Sequence, residues 1–133
     1  LPLKHEEKLL ADFPLPYLTE NYDGYVIPMT EEIWGDKIEL IPGIQMMVDC
    51  NEYWLTSSEF GVGSSSNFPY SYYTFDSDRA TASTQKQCSD GKTSRAFVHP
   101  LSPYTLPLEK KEPVVVFIPK GFELKYRVWK AGK

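Results

Sequence analysis

Near its C-terminus the chain runs Val114-Val115-Val116-Phe117-Ile118, and past Gly121 it changes pattern. Phe122, Leu124, Tyr126 and Val128 there alternate with Glu123, Lys125, Arg127 and Trp129. Five apolar residues in a row, bounded by prolines and rich in β-branched side chains, read as a central strand buried on both faces. The alternation reads as a half-buried strand with one apolar and one charged face. A fold that satisfies both needs a sheet with material packed on each side.

The rest of the chain fits that demand. Tyr22 to Met29, Lys37 to Ile41, Ile44 to Cys50, Tyr70 to Phe75 and Arg95 to His99 are strand candidates, with Pro42-Gly43 read as a turn between the second and third. Thr30 to Trp34 reads as a short turn or 3₁₀ piece. Tyr53 to Asn67 is irregular, and its segment Gly61 to Asn67 reads as a flexible loop by composition. Pro100, Pro103, Pro107 and Pro113 mark a stiff exposed connection, and Pro2, Pro14 and Pro16 stop any helix in residues 1–20, which read as an extended tail. Short strands, frequent turns and no good helix predict an all-β fold, an antiparallel β-sandwich or barrel with long loops, within a single domain spanning residues 1–133.

Composition removes several function classes. The net charge is -4, which argues against nucleic acid as a partner. Residues 109–133 hold seven Lys or Arg against three Asp or Glu, read as a solvated strand face. No apolar run approaches ~18 residues, so no membrane span is expected. No signal peptide is legible, but the chain begins at Leu1 rather than Met, so compartment is not read from that absence. Of the two histidines, His5 lies in the tail and His99 precedes Pro100 at a strand end. No Gly-x-Ser-x-Gly elbow occurs. Gly61-Val62-Gly63 lacks the third glycine of a dinucleotide loop. No His, Cys and carboxylate cluster has metal-ligand spacing. Asp76 and Asp78 suit a turn at a strand end better than a cation site. Neither an enzyme nor a metal or other cofactor is expected.

The two cysteines, Cys50 and Cys88, are either free and buried or paired. A pair would close a long loop and stabilise the fold by ~4 kcal/mol in the chain-entropy model. It would also clamp one end of the polar segment Ser83-Thr84-Gln85-Lys86-Gln87-Cys88. Ser83 and Thr84 are small and favour extended backbone. Gln85, Lys86 and Gln87 have long polar side chains that no core needs, and Asp90-Gly91 turns the chain back. A stiff extended peptide of this kind suits a loop that a protease reads as substrate, because ordering a loop on binding consumes affinity. On the residues alone, an ordinary hairpin connection with a structural disulfide is the favoured reading.

The chain resembles the ecotin family of inhibitors of trypsin-fold serine proteases. The resemblance is carried by Val48-Asp49-Cys50-Asn51, Tyr72-Tyr73-Thr74-Phe75-Asp76, Ser83-Thr84 through Cys88-Ser89-Asp90-Gly91-Lys92, Pro113-Val114-Val115-Val116 with Pro119, and Lys125-Tyr126-Arg127-Val128-Trp129-Lys130. It implies a β-sandwich with a Cys50–Cys88 disulfide. It implies a reactive site at Gln85 and Lys86, with Gln85 entering the protease specificity pocket. Ser83, Thr84 and Gln87 complete that loop, and Asn51, Glu52, Tyr53 and Trp54 buttress it. A secondary protease site is implied at Phe68, Pro69 and Tyr70, in the segment Asn67 to Ser71, and at Leu108, Glu109, Lys110 and Lys111, between Tyr104 and Glu112. The implied partners are trypsin, chymotrypsin or elastase-like enzymes, with a homodimer clamping two of them. The short stretch after Trp129 points to a dimer weaker than the family's. A periplasmic or secreted location follows from the resemblance, with the cytoplasm as the alternative. The competing reading is a β-sandwich binding module for a carbohydrate or other non-protease partner, supported by the aromatic stretch Tyr70 to Tyr73.

Overall fold

Val114–Pro119 forms a strand whose residues Val114 to Ile118 are all buried. In the computed structural model, which describes residues 20–30, 34–65, 68–108 and 112–130, ten strands are present. They are β1 (Tyr22–Ile27), β2 (Lys37–Val48), β3 (Tyr53–Leu55), β4 (Glu59–Ser65), β5 (Phe68–Asp76), β6 (Thr81–Ser83), β7 (Ser94–Val98), β8 (Tyr104–Pro107), β9 (Val114–Pro119) and β10 (Glu123–Trp129). The expected all-β class holds, with one disulfide, Cys50–Cys88, at a Cα–Cα distance of 5.7 Å. The tail expected over residues 1–20 lies outside the described residues except for Glu20.

One sheet has the order β1-β9-β5-β4; a second runs β10-β2-β7 with β8 also on β2; β3 and β6 form a two-stranded ribbon. All pairings are antiparallel except β5 with β9. Side chains alternate along β9. Val114, Val116 and Ile118 enter the main core with Ile27, Phe75, Ile38 and Leu40. Val115 and Phe117 point the other way and pack with Val26 and Tyr72. That explains why β9 is apolar at every position. β10 needs only one apolar face, and Leu124 is its deepest residue at 2 % exposure.

Four sequence expectations are corrected by the tertiary structure. Pro42-Gly43 is not a turn. β2 runs straight through it, pairing with β10 up to Gly43 and with β7 from Ile44 onward. Glycine stands there because a Cβ would lie 2.6 Å from the Phe97 ring and from the Val98 carbonyl. Gly61 to Ser65 is not a flexible loop but part of β4, paired with β5; Ser66 and Asn67 lie outside the described residues. A Cβ at Gly63 would sit 2.4 Å from the Tyr72 ring, so this glycine makes room for an aromatic side chain on the neighbouring strand. The connection from Pro100 to Pro113 contains β8, which pairs Leu106 with Ile38, and Leu106 and the following Leu108 are both buried. Tyr53 to Asn67, read as irregular, also contains β3, which pairs with β6.

The aromatic strand β5 is packing, not display. Phe75 is fully buried, Tyr72 is 8 % exposed and Tyr73 packs against the main core. Replacing Gly43 with Val is expected to destabilise the protein by about 2 kcal/mol or more, because the added atoms overpack against backbone as well as the Phe97 ring. Urea unfolding checks this: an unchanged midpoint would mean that β7 can move away from β2 at little cost.

Candidate functional site

Among the described residues, the longest unbroken run without a strand lies between β6 and β7. It begins on the ribbon, where Tyr53 faces Ser83, Trp54 faces Ala82 and Leu55 faces Thr81. The ribbon is anchored to the main body where the Leu55 N–H donates to His99 O at 3.0 Å. Beyond Ser83 the strand pattern is prolonged by one step, with the Thr84 N–H donating to Glu52 O at 3.1 Å. Gln85, Lys86 and Gln87 then stand exposed. The Cys50–Cys88 bond closes the far side. Gly91, at φ 62°, and the Lys92 N–H donating to Asp90 Oδ1 at 3.0 Å turn the chain back towards β7, as the Asp90-Gly91 pair leads one to expect.

Asn51 holds the middle of this loop. Its Oδ1 accepts from the Lys86 N–H at 2.6 Å and from the Thr84 hydroxyl at 2.8 Å. Its Nδ2 donates to Lys86 O at 3.0 Å and to Asp49 Oδ1 at 3.2 Å. One side-chain amide therefore engages both polar groups of the Lys86 backbone, as the peptide of a neighbouring strand would. The Glu52 N–H adds a bond to Thr84 Oγ1 at 3.0 Å. Each such bond contributes about 1 kcal/mol net, so together with the disulfide they hold Thr84 to Cys88 in place while Gln85, Lys86 and Gln87 face solvent.

Asp49 orients Asn51 in turn. Its Oδ1 also accepts from the Asn51 backbone N–H at 2.9 Å. That bond, ahead of those from the Asn51 and Tyr53 side chains, holds the Asp49 carboxyl below its ordinary value of 3.8. Asp49 was not picked out as a site residue. The available signal was its spacing to Asn51, since an Asp two residues before a backbone N–H makes an Asx turn.

A sequence model of the family described as Ecotin matches residues 10–131. Among curated proteins, an ecotin of Pseudomonas putida is 33% identical over 123 residues, covering 90% of this chain and 77% of its own length. A putative ecotin-like protein of Methylobacillus flagellatus is 35% identical over 130 residues, covering 94% and 79%. An ecotin of Pseudomonas fluorescens is 31% identical over 128 residues, covering 94% and 80%. The chain belongs to the ecotin family. The family is one of protease inhibitors rather than enzymes.

The other residues expected from the ecotin resemblance fall unevenly. Ser83, Thr84, Gln85, Lys86, Gln87, Asn51, Glu52, Tyr53 and Trp54 are brought together around the loop. The Tyr53 and Trp54 side chains also line a shallow groove of about 370 Å³ with Phe97 and Leu101. Phe68, Pro69 and Tyr70 lie in strand β5 rather than in a loop. The side chains of Phe68 and Pro69 lie outside the described residues, and Tyr70 is half-buried against the Val26–Phe117 cluster. Leu108 is core, at 8 % exposure. Glu109, Lys110 and Lys111 lie outside the described residues. The two segments do meet, at a depression of about 220 Å³ between Ser71, Tyr73, Leu108 and Glu112.

Several residues weighed for catalysis or metal binding have structural employment. His99 Nδ1 donates to Pro100 O at 2.7 Å and its ring packs on Phe97. Asp76 accepts from the Tyr22 hydroxyl, and Asp78 from the Ser57 hydroxyl at 2.6 Å and the Ala80 N–H at 2.9 Å. Among the described residues no group of three or more His, Cys, Asp or Glu side chains has metal-binding geometry.

Replacing Asn51 with Ala is expected to speed hydrogen exchange at the Lys86 amide by about tenfold or more while leaving the core amides of β9 protected. The pH dependence follows from Asp49. Its folded value is depressed, so its contribution is complete above its unfolded value and fades as pH falls through the folded one. Protection of the Lys86 amide, corrected for intrinsic exchange, should hold constant from neutral pH down to the ordinary Asp value of 3.8 and drop below it. Protection that is already falling at pH 5 would remove Asp49 as the orienting group.

Proposed function

We propose that this protein is a reversible, substrate-like inhibitor of trypsin-fold serine proteases, presenting Gln85 to the specificity pocket and the Gln85–Lys86 peptide to the catalytic centre. The observation that carries the reading is the double grip of Asn51 on Lys86, backed by the disulfide at Cys88. A protease that cuts the Gln85–Lys86 bond must then expel an amine that stays bonded to Asn51 Oδ1 and remains tethered through Cys88. The leaving group keeps its place beside the acyl carbon, so rejoining competes with hydrolysis by proximity. Pre-ordering has a second consequence. Binding loses little conformational entropy, and the contacts of the exposed side chains appear as affinity.

Ser83, Thr84 and Gln87 flank the scissile bond in this reading, and Glu52, Tyr53 and Trp54 shoulder the enzyme rim. Tyr70 and the surroundings of the Ser71–Glu112 depression are assigned to a second, distal contact, and a homodimer would join two such contacts in one complex. Retention of the Cys50–Cys88 bond suits a periplasmic or secreted protein. The alternative of a carbohydrate-binding module loses its main support, because Tyr72 and Tyr73 are packed rather than displayed.

Titration against trypsin, chymotrypsin and elastase with slow substrates tests the assignment. Inhibition of at least one at nanomolar concentration is expected. Gln85→Arg should tighten binding to trypsin by about tenfold or more, since the side chain that fills the pocket is the usual anchor. Slow cleavage by the target should expose a new N-terminus at Lys86. One at Gln87 would move the reactive bond by a residue, and the absence of inhibition across the panel would remove the reading.

Cys50→Ala combined with Cys88→Ala is expected to weaken inhibition by about a hundredfold, while the domain still melts cooperatively after losing roughly 2–4 kcal/mol. The disulfide closes a loop of separation 38 but lies outside the main core, which β9 and β10 maintain. Loss of folding and inhibition in strict parallel would contradict this division.

A further inference from the structure

The root of the presented loop holds a residue in an unusual backbone state. Arg79 has φ 69° and, among the described residues, is the single non-glycine with positive φ. L side chains rarely adopt this region, and a long one such as Arg does so only where surrounding contacts over-determine it. The contacts are present. The Arg79 N–H donates to Ser77 Oγ at 3.0 Å. Its Nη2 donates to Lys120 O at 3.1 Å. Its guanidinium carbon lies 5.2 Å from the ring centroid of Phe122, which is 3 % exposed and packs edge-on against Phe75 at 5.6 Å. The turn between β9 and β10 is shaped to receive this side chain. A Cβ at Gly121, itself at φ 96°, would lie 3.1 Å from Arg79 Nη2.

Both neighbours of Arg79 tie to the residues that follow β3. The Ala80 carbonyl accepts from the Thr56 N–H at 2.9 Å, and Asp78 is held by the Ser57 hydroxyl at 2.6 Å. The ribbon of three-residue strands is thus fixed at its open end by Asn51 and the disulfide. At its root, Arg79 supplies the side-chain link from the 77–80 turn to the core through Phe122. Arg79 itself is exposed, so its guanidinium–ring contact adds little to global stability.

We propose that Arg79 is a positioning residue for protease inhibition: it hooks the root of the reactive loop onto the β9–β10 turn and so limits how far the Gln85–Lys86 bond can move. This rests on the loop being the reactive site. The hook does not touch the protease. It restricts the upstream arm in the way that Cys88 restricts the downstream one, and a loop free at one arm has more ordering to lose on binding.

The test compares Arg79→Asn and Arg79→Lys with the wild-type chain. Asn tolerates the left-handed backbone but cannot reach Lys120 or Phe122. It is expected to melt within about 4 °C of wild type. Its inhibition constant should rise by about tenfold, and the Gln85–Lys86 bond should be cleaved faster by the inhibited protease. Lys, which keeps a cation over Phe122 and a donor for the Lys120 carbonyl, should recover most of the loss. Should Arg79→Asn fail to fold, Arg79→Gly carries the same comparison. Unchanged inhibition and cleavage in a folded variant, or a Lys variant as weak as Asn, would overturn the hook. If the wild-type chain inhibits none of the proteases, the reactive-site assignment falls separately. Hydrogen exchange at the Thr84 and Lys86 amides then decides: faster exchange in Arg79→Asn upholds the hook, and equal exchange overturns it.

Discussion

The burial of β9 on both faces organises everything else. Val114, Val116 and Ile118 need one core and Val115 and Phe117 another, so the strand must lie inside a sheet with neighbours on both edges. β1 and β5 supply those edges. At roughly 2 kcal/mol for each large apolar side chain removed from water, β9 alone contributes on the order of 10 kcal/mol before conformational entropy is subtracted. β1 reaches this strand from the opposite end of the described chain, pairing Tyr22 with Pro119 and Ile27 with Val114. The sheet therefore closes only when distant parts of the chain meet, which makes the fold dominated by non-local pairing.

The second sheet follows from β10. Its apolar face, Leu124 with Tyr126 and Val128, covers the main core from the other side, and β2 spans the gap by serving β10 and β8 with its first half and β7 with its second. This leaves the β3–β6 ribbon outside both sheets. A three-residue pairing is weak by itself. The ribbon persists because it is anchored through the Leu55–His99 bond, the Thr56–Ala80 bond, the disulfide and the Arg79 side chain. Rigid support at the base with an exposed tip is the arrangement that an inhibitory loop requires, since stability is held in the core and shape in the tethers.

The candidate site is accordingly a small hydrogen-bonded assembly rather than a pocket. Asn51 spends its side-chain amide on the loop backbone, Asp49 spends its carboxylate on Asn51, and Thr84 shares its hydroxyl between Asn51 and the Glu52 N–H. Gln85 is left with its side chain exposed. On the proposed reading, recognition and support are divided between different residues.

Much of this was legible in the chain itself. The apolar run at Val114 and the alternation after Gly121 identified the central and half-buried strands, because side-chain periodicity is a local property of the backbone. The Asp90-Gly91 turn was legible too, because turn chemistry is also local, while the Cys50–Cys88 pairing was implied by the family resemblance. What the chain did not disclose depends on partners far away in sequence. Pro42-Gly43 has the composition of a turn, yet it lies in a strand because Phe97 and Val98 approach too closely for any side chain. Gly61 and Gly63 read as a flexible linker, yet they face Thr74 and Tyr72 across a sheet. Arg79 carries no local mark of a left-handed backbone, a state usually taken by glycine or asparagine. Beside the local bond to Ser77, it is the nearness of Lys120 and Phe122 that makes that conformation worth holding. Periodicity and turn signals are written residue by residue, whereas close approach and tethering arise when separate segments meet, and the tertiary structure alone decides them.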